Sequence, residues 1–169
     1  LNKIWCSYRA KENIFCFDDT KEYIGLTNTT VIFDTNEDLD LKYLLAFLNS
    51  RTLNFRYKSI GKQTGSGVYE YFENGVGKLP IPKIDEESQK PFIKLVDEIL
   101  EAKQKIKDYK PLLDEAIKNN NFDREIALKK ELENLENICT TNEKTIDQMV
   151  YKLYDLTQDE IKIVENKES

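Results

Sequence analysis

From Leu128 to Leu153, one set of positions recurs in steps of four and three. They are Leu128, Leu132, Leu135, Cys139, Asn142, Ile146, Met149 and Leu153, and only Asn142 is polar. This spacing is the heptad repeat of a helix that buries one seam against another helix. Leu95, Ile99, Ala102, Ile106, Tyr109 and Leu113 step the same way upstream. Asn119-Asn120-Asn121 between the two stretches is a turn candidate, so the pattern predicts an antiparallel helical hairpin. A homodimeric coiled coil is the alternative. Pro111 predicts either a break in the first helix or the opening of a new one. Thr140 and Glu143 match a capping box that would instead break the seam. Thr157 and Glu160 match a second capping box, which predicts a last short helix through Ile161–Val164.

The first half follows a different period. Ile4–Tyr8, Ile14–Phe17, Tyr23–Leu26 and Thr29–Phe33 are aromatic and β-branched runs between polar turns, the signature of strands. Acids at Asp38 and Asp40 suit a helix start, and Leu41, Leu44, Leu45 and Leu48 then form one apolar face. Ser50 is placed to cap a second short helix through Arg51–Tyr57. Residues 58–78 are the least regular stretch and hold five of the six glycines. Within it Val68–Phe72 reads as a strand, and Leu79–Ile84, with prolines at alternate positions, as an extended edge or linker. The chain is therefore expected to be α+β, with an α+β domain over 1–84 and a helical, coiled-coil-like arm over 85–169.

Charge is divided unevenly. Residues 1–84 hold 11 Lys/Arg against 10 Asp/Glu, and residues 85–169 hold 14 against 21. Within 51–83 six basic residues (Arg51, Arg56, Lys58, Lys62, Lys78, Lys83) face two acids, Glu70 and Glu73. A local basic stretch in a chain of net charge −6 is compatible with a phosphate footprint. No run is apolar enough to span a membrane, and the N-terminus lacks both a signal-peptide pattern and an initiator Met. We expect a cytoplasmic protein and a segment of a longer polypeptide. Cys6, Cys16 and Cys139 are widely spaced, without a CxxC pair, and are expected to be reduced structural thiols.

Catalytic signatures are missing. There is no histidine, hence neither the commonest general base nor a triad built on it. Gly61–Gly67 lacks the GxxxxGK[ST] order of a phosphate-binding loop. Asn/Asp/Ser-Pro-Pro-Tyr/Phe, the tetrapeptide that holds a target amine in adenine methyltransferases, does not occur. Asp18-Asp19 lacks the second acid and spaced Lys of a PD…ExK nuclease. What remains is recognition chemistry: Lys62 can reach guanine O6/N7 and Gln63 can pair with adenine N6/N7. An exposed polar turn beside core aromatics is the bland alternative.

Four segments resemble a known family. They are Thr29–Phe33 followed by Leu44-Leu45-Ala46-Phe47-Leu48-Asn49-Ser50 and Asn54–Tyr57, then Lys78-Leu79-Pro80-Ile81-Pro82, then Glu87–Lys105, and last Ile146–Thr157. In this order they resemble the TaqI-like C-terminal specificity domain, found behind adenine methyltransferase domains in type II restriction–modification enzymes and related to type I specificity subunits. Asp155 stands where that family usually has Gly. The resemblance implies a β-rich target-recognition domain followed by a long antiparallel helical hairpin, without catalysis of its own. It implies sequence-specific binding of double-stranded DNA, but residues 58–78 are the variable part of such domains and no contact is carried over by motif. Arg9, Lys58, Lys62, Gln63, Thr64 and Ser66 are candidate phosphate and base contacts as a hypothesis from their donor chemistry. The parent enzyme would methylate adenine at N6 from S-adenosylmethionine and cleave DNA with Mg²⁺, neither cofactor binding this chain. The arm would pack on the methyltransferase part. A protein-interaction or dimerisation module without DNA contact is the alternative.

Overall fold

The computed structural model describes residues 2–20, 25, 28–33 and 38–166. The expected strand at Tyr23, Ile24 and Leu26 lies outside them. The architecture is α+β. Strands β1 (Lys3–Ser7), β2 (Arg9–Ala10), β3 (Phe15–Asp18) and β4 (Thr29–Phe33) precede helices α1 (Leu41–Leu48) and α2 (Arg51–Ile60). A hairpin of β5 (Lys62–Thr64) and β6 (Val68–Glu70) and a short helix α3 (Glu73–Val76) follow. Three helices complete the chain: α4 (Glu86–Lys118), α5 (Phe122–Leu153) and α6 (Gln158–Asn166). By packing, the chain forms two compact units, residues 1–93 with 146–169, and residues 94–145.

In the first unit, β1 is the centre of an antiparallel sheet of order β3-β1-β4. Its Ile4 and Cys6 point into the core and are buried. The capping signals read from the sequence act as expected: Asp40 accepts from the N–H groups of Lys42 and Tyr43, and Ser50 accepts from that of Leu53. The side chain of Asn49 extends the sheet by pairing with both backbone groups of Phe15, at 2.9 Å each. Tyr43, Phe47, Phe92 and Tyr154 form an aromatic cluster with centroid spacings of 4.8–6.0 Å. The hydroxyls of Tyr43 and Tyr154 donate to the carbonyls of Pro82 and Pro80, which holds the Leu79–Pro82 segment extended. Gln89 is almost fully buried, and its amide bonds the backbones of Asp38, Asp40 and Ile84. The motif residues thus tie elements together.

In the second unit the two long helices form an antiparallel hairpin. Asn142 donates to Glu98 at 2.7 Å, the Cys139 thiol contacts the Ile99 carbonyl, and Arg124 faces Glu115. Ile99, Ala102, Leu132, Leu135 and Cys139 are the buried seam, each large one worth about 1.5–3 kcal/mol on burial. Asn120, at φ +51°, makes the turn.

Four expectations change. Pro111 neither breaks nor opens a helix, because α4 runs through it. Its lost N–H bond costs less than the seam gains on either side, where Ala102 and Ala116 are buried. Thr140 caps nothing, since its hydroxyl bonds back to the Glu136 carbonyl inside α5. Leu153 is exposed, and Val150 and Tyr151 replace it in the core, because 3.6 residues per turn drift away from a strict heptad. Residues 58–78 are mostly regular, comprising the end of α2, the β5–β6 hairpin and α3. The left-handed run Gly65, Ser66, Gly67 (φ +33°, +56°, +73°) folds the hairpin back in three residues.

Candidate nucleic-acid interface

The hairpin joins β2 in a second antiparallel sheet of order β2-β6-β5. Arg9 and Lys62 are both register partners of Glu70, on opposite sides of it. Side chains alternate along a strand, so Arg9, Lys62, Thr64, Val68 and Glu70 share one face, and Ala10, Gln63 and Tyr69 the other.

On the first face Glu70 is 3% exposed, whereas the side chains of Arg9 and Lys62 are 58% and 69% exposed. Nη2 of Arg9 donates to Oε1 of Glu70 at 3.0 Å. Oε2 lies 2.9 Å from Nζ of Lys62, a contact of charge whose angles are not those of a hydrogen bond. The Lys62 ammonium, and after it the Arg9 guanidinium, holds the Glu70 carboxyl below the usual carboxylate range. Glu70 in turn pushes Lys62 above the usual ammonium range. Two aromatic rings border the row. Arg9 lies 5.5 Å from the Tyr8 centroid and Lys62 5.9 Å from that of Phe72, and the rings meet edge to face at 4.8 Å.

The face is braced from behind. Tyr57 of α2 stacks on Tyr71 at 4.3 Å, with planes 7° apart, and its hydroxyl donates to the Glu70 carbonyl at 2.7 Å. The Tyr71 hydroxyl donates to Asn13, and its carbonyl accepts from Thr30 at 2.6 Å. Tyr57 reaches this position because Gly61 and Gly75 leave it room: a Cβ on either would lie 2.7 Å from the Tyr57 ring or hydroxyl.

The candidate contacts therefore separate. Arg9, Lys62 and Thr64 share a face, Gln63 points from the opposite one, and Ser66 sits in the turn. Lys58 belongs to the last turn of α2 and enters none of these contacts. Sequence reasoning missed Glu70, Tyr8 and Phe72. Reading Gly65-Ser66-Gly67 as a hairpin turn would have paired Lys62 with Glu70 by counting outward from Ser66. Its pairing with Arg9 leaves no local signal.

Among the described residues, no three acidic or thiol side chains converge to hold a metal ion, and no helix is long and apolar enough to cross a membrane. No curated protein matches the chain at a significant level. Residues 1–81 match the family model of the TaqI-like C-terminal specificity domain. The match spans both sheets, α1, α2, the hairpin, α3 and the start of the extended Leu79–Pro82 segment, and it ends before the long helices. Over these residues the chain is similar to the TaqI-like C-terminal specificity domains.

Proposed function

We propose that the chain gives sequence-specific recognition of double-stranded DNA to an adenine N6 methyltransferase that also cleaves DNA. Methyl transfer from S-adenosylmethionine and Mg²⁺-dependent cleavage belong to the catalytic part of that enzyme. The observation that carries the reading is the exposed Arg9–Lys62 pair on one braced sheet face inside the matched segment. Cations of this kind contact phosphates, and a guanidinium also reads guanine O6 and N7. Lys58, Gln63, Thr64 and Ser66 remain candidates for contacts from the helix end, the second face and the turn.

The test is duplex binding by the intact enzyme at increasing salt. Recognition requires affinity that falls with salt as counterions are released, together with preference for one sequence. An enzyme that binds no duplex, or binds all duplexes equally, refutes the reading. Adenine methylation in the bound sequence checks the parent activity.

One observation favours a second role for the arm. Ile117, Phe122 and Ile126 are 47%, 67% and 66% exposed around the hairpin's turn. Three large apolar side chains exposed near one turn favour an interaction surface there. We assign it to the methyltransferase part, with self-association of the arm as the competing outcome. Sedimentation at several concentrations separates the two.

A further inference from the structure

We propose that Glu70 is a positioning residue that makes the Arg9–Lys62 face discriminate between DNA sequences, an inference that rests on the DNA-recognition reading above. A buried carboxylate is costly to hold in a sheet unless it is paired. Here its two oxygens are divided between two strands: Oε1 takes Arg9 from β2, and Oε2 takes Lys62 from β5. The three residues lie in one register row, so the ladder sets the spacing of their Cα atoms, and the carboxylate then gathers the two long side chains.

Two consequences follow. The first is geometric. Arg9 and Lys62 are long side chains, mobile when free, and the carboxylate tethers the head of each while both side chains stay more than half exposed. Arg9 uses Nη2 for Glu70, which leaves Nε and Nη1 for a base edge or phosphate. Tyr8 and Phe72 restrict the same two heads from the side. The second is a matter of charge. Two cations with one carboxylate present a single net positive charge. An uncompensated pair would bind any duplex through its phosphates, which adds affinity without sequence information. Glu70 lowers that general attraction and keeps the directed donors in place.

The experiment uses the intact enzyme and a randomised duplex pool. Bulk affinity is measured against salt, and the bound fraction is sequenced to obtain preference over the bulk pool. In Glu70→Gln the face gains one net positive charge. Bulk binding should tighten at low salt, and the log–log salt slope should steepen by roughly 0.9. Preference for the selected sequence should fall at least about tenfold, the cost of one misplaced base contact. Glu70→Asp keeps the charge but draws the carboxylate back by one methylene, which changes where it holds the two heads. Its slope should stay that of the wild type while its preference falls, a separation that loss of stability alone does not produce. Variants that fold normally and keep both the wild-type slope and the wild-type preference overturn the proposal. If Glu70→Gln does not fold, Glu70→Asp decides alone. If neither folds the proposal is also overturned, because Glu70 is then a residue of stability. A wild-type enzyme that selects no sequence overturns the recognition reading itself, whatever the variants do.

Discussion

The backbone N–H of Leu156 donates to the carbonyl oxygen of Tyr151 at 3.0 Å, closing a left-handed turn over Asp155, whose φ is +52°. A second bond, from the Asp155 N–H to the Lys152 carbonyl at 3.1 Å, completes a Schellman motif at the end of α5. Such a position favours Gly, which has no Cβ to strain. The Asp155 carboxylate also sits at the negative end of the helix dipole. Replacing Asp155 by Gly should stabilise the protein by about 1 kcal/mol. The urea midpoint should rise with an unchanged slope. A midpoint that stays or falls contradicts this account of the turn.

Tyr57 and the two glycines beside it give a prediction of opposite sign. A Cβ at Gly61 would lie 2.7 Å from the Tyr57 ring and 2.9 Å from the Tyr57 carbonyl oxygen, and the carbonyl is backbone that cannot swing away. The φ of Gly61 is −72°, so the demand is for space and not for a left-handed conformation. Gly61→Ala should destabilise by about 1–3 kcal/mol through overpacking. Lys62 follows immediately, so DNA affinity should fall as well. Tyr57→Phe removes only the hydroxyl that bonds the Glu70 carbonyl and should cost about 1 kcal/mol. Thermal unfolding of both variants checks the order.

These positions show where the sequence was informative. Signals spaced three or four residues apart were legible, because both partners lie on one helix turn. The Asp40 and Ser50 caps, the Thr157–Glu160 box and the seam from Leu132 to Ile146 belong here. Pro111 misled because a local breaking tendency was outweighed by packing along α4. The β5 strand was missed because Lys62-Gln63-Thr64 has no apolar alternation to reveal it. The site was legible only in part. Arg9 and Lys62 were named as candidate contacts, but Arg9 and Glu70 are 61 residues apart, and their pairing depends on how the two sheets are threaded.

Asp18 sets an acid limit. Burial opposes its ionisation. Hydrogen bonds from the Trp5 indole and from the Thr20 hydroxyl and amide, together with the Lys3 ammonium, outweigh that and bring its pKa from 3.8 to about 2. A carboxyl with a depressed folded pKa contributes stability that is complete above the unfolded value and is lost as pH falls through the folded one. Wild type should therefore exceed Asp18→Asn in stability at neutral pH, and the gap should close between pH 3.8 and about 2. Trp5 is the sole tryptophan and donates to Asp18 at 2.9 Å, so its fluorescence reports the loss locally. A gap that is constant across that window removes Asp18 from the account.

The division of the candidate contacts between two sheet faces yields the sharpest comparison. Lys62 and Gln63 are adjacent in sequence, lie on the same edge strand and are both exposed, yet they point to opposite sides of the sheet. DNA laid on the Arg9–Lys62 face meets Lys62 and not Gln63. Lys62→Ala should then make the log–log salt slope shallower by roughly 0.9, the share of one phosphate. Gln63→Ala should leave both slope and sequence preference unchanged. If instead the β5 edge enters the major groove, both side chains reach the DNA, and Gln63→Ala should relax preference at an adenine. Filter binding of the two single variants to the same duplex pool decides between face and edge. Equal losses in both variants would move the interface from the Arg9–Glu70–Lys62 row to the strand edge.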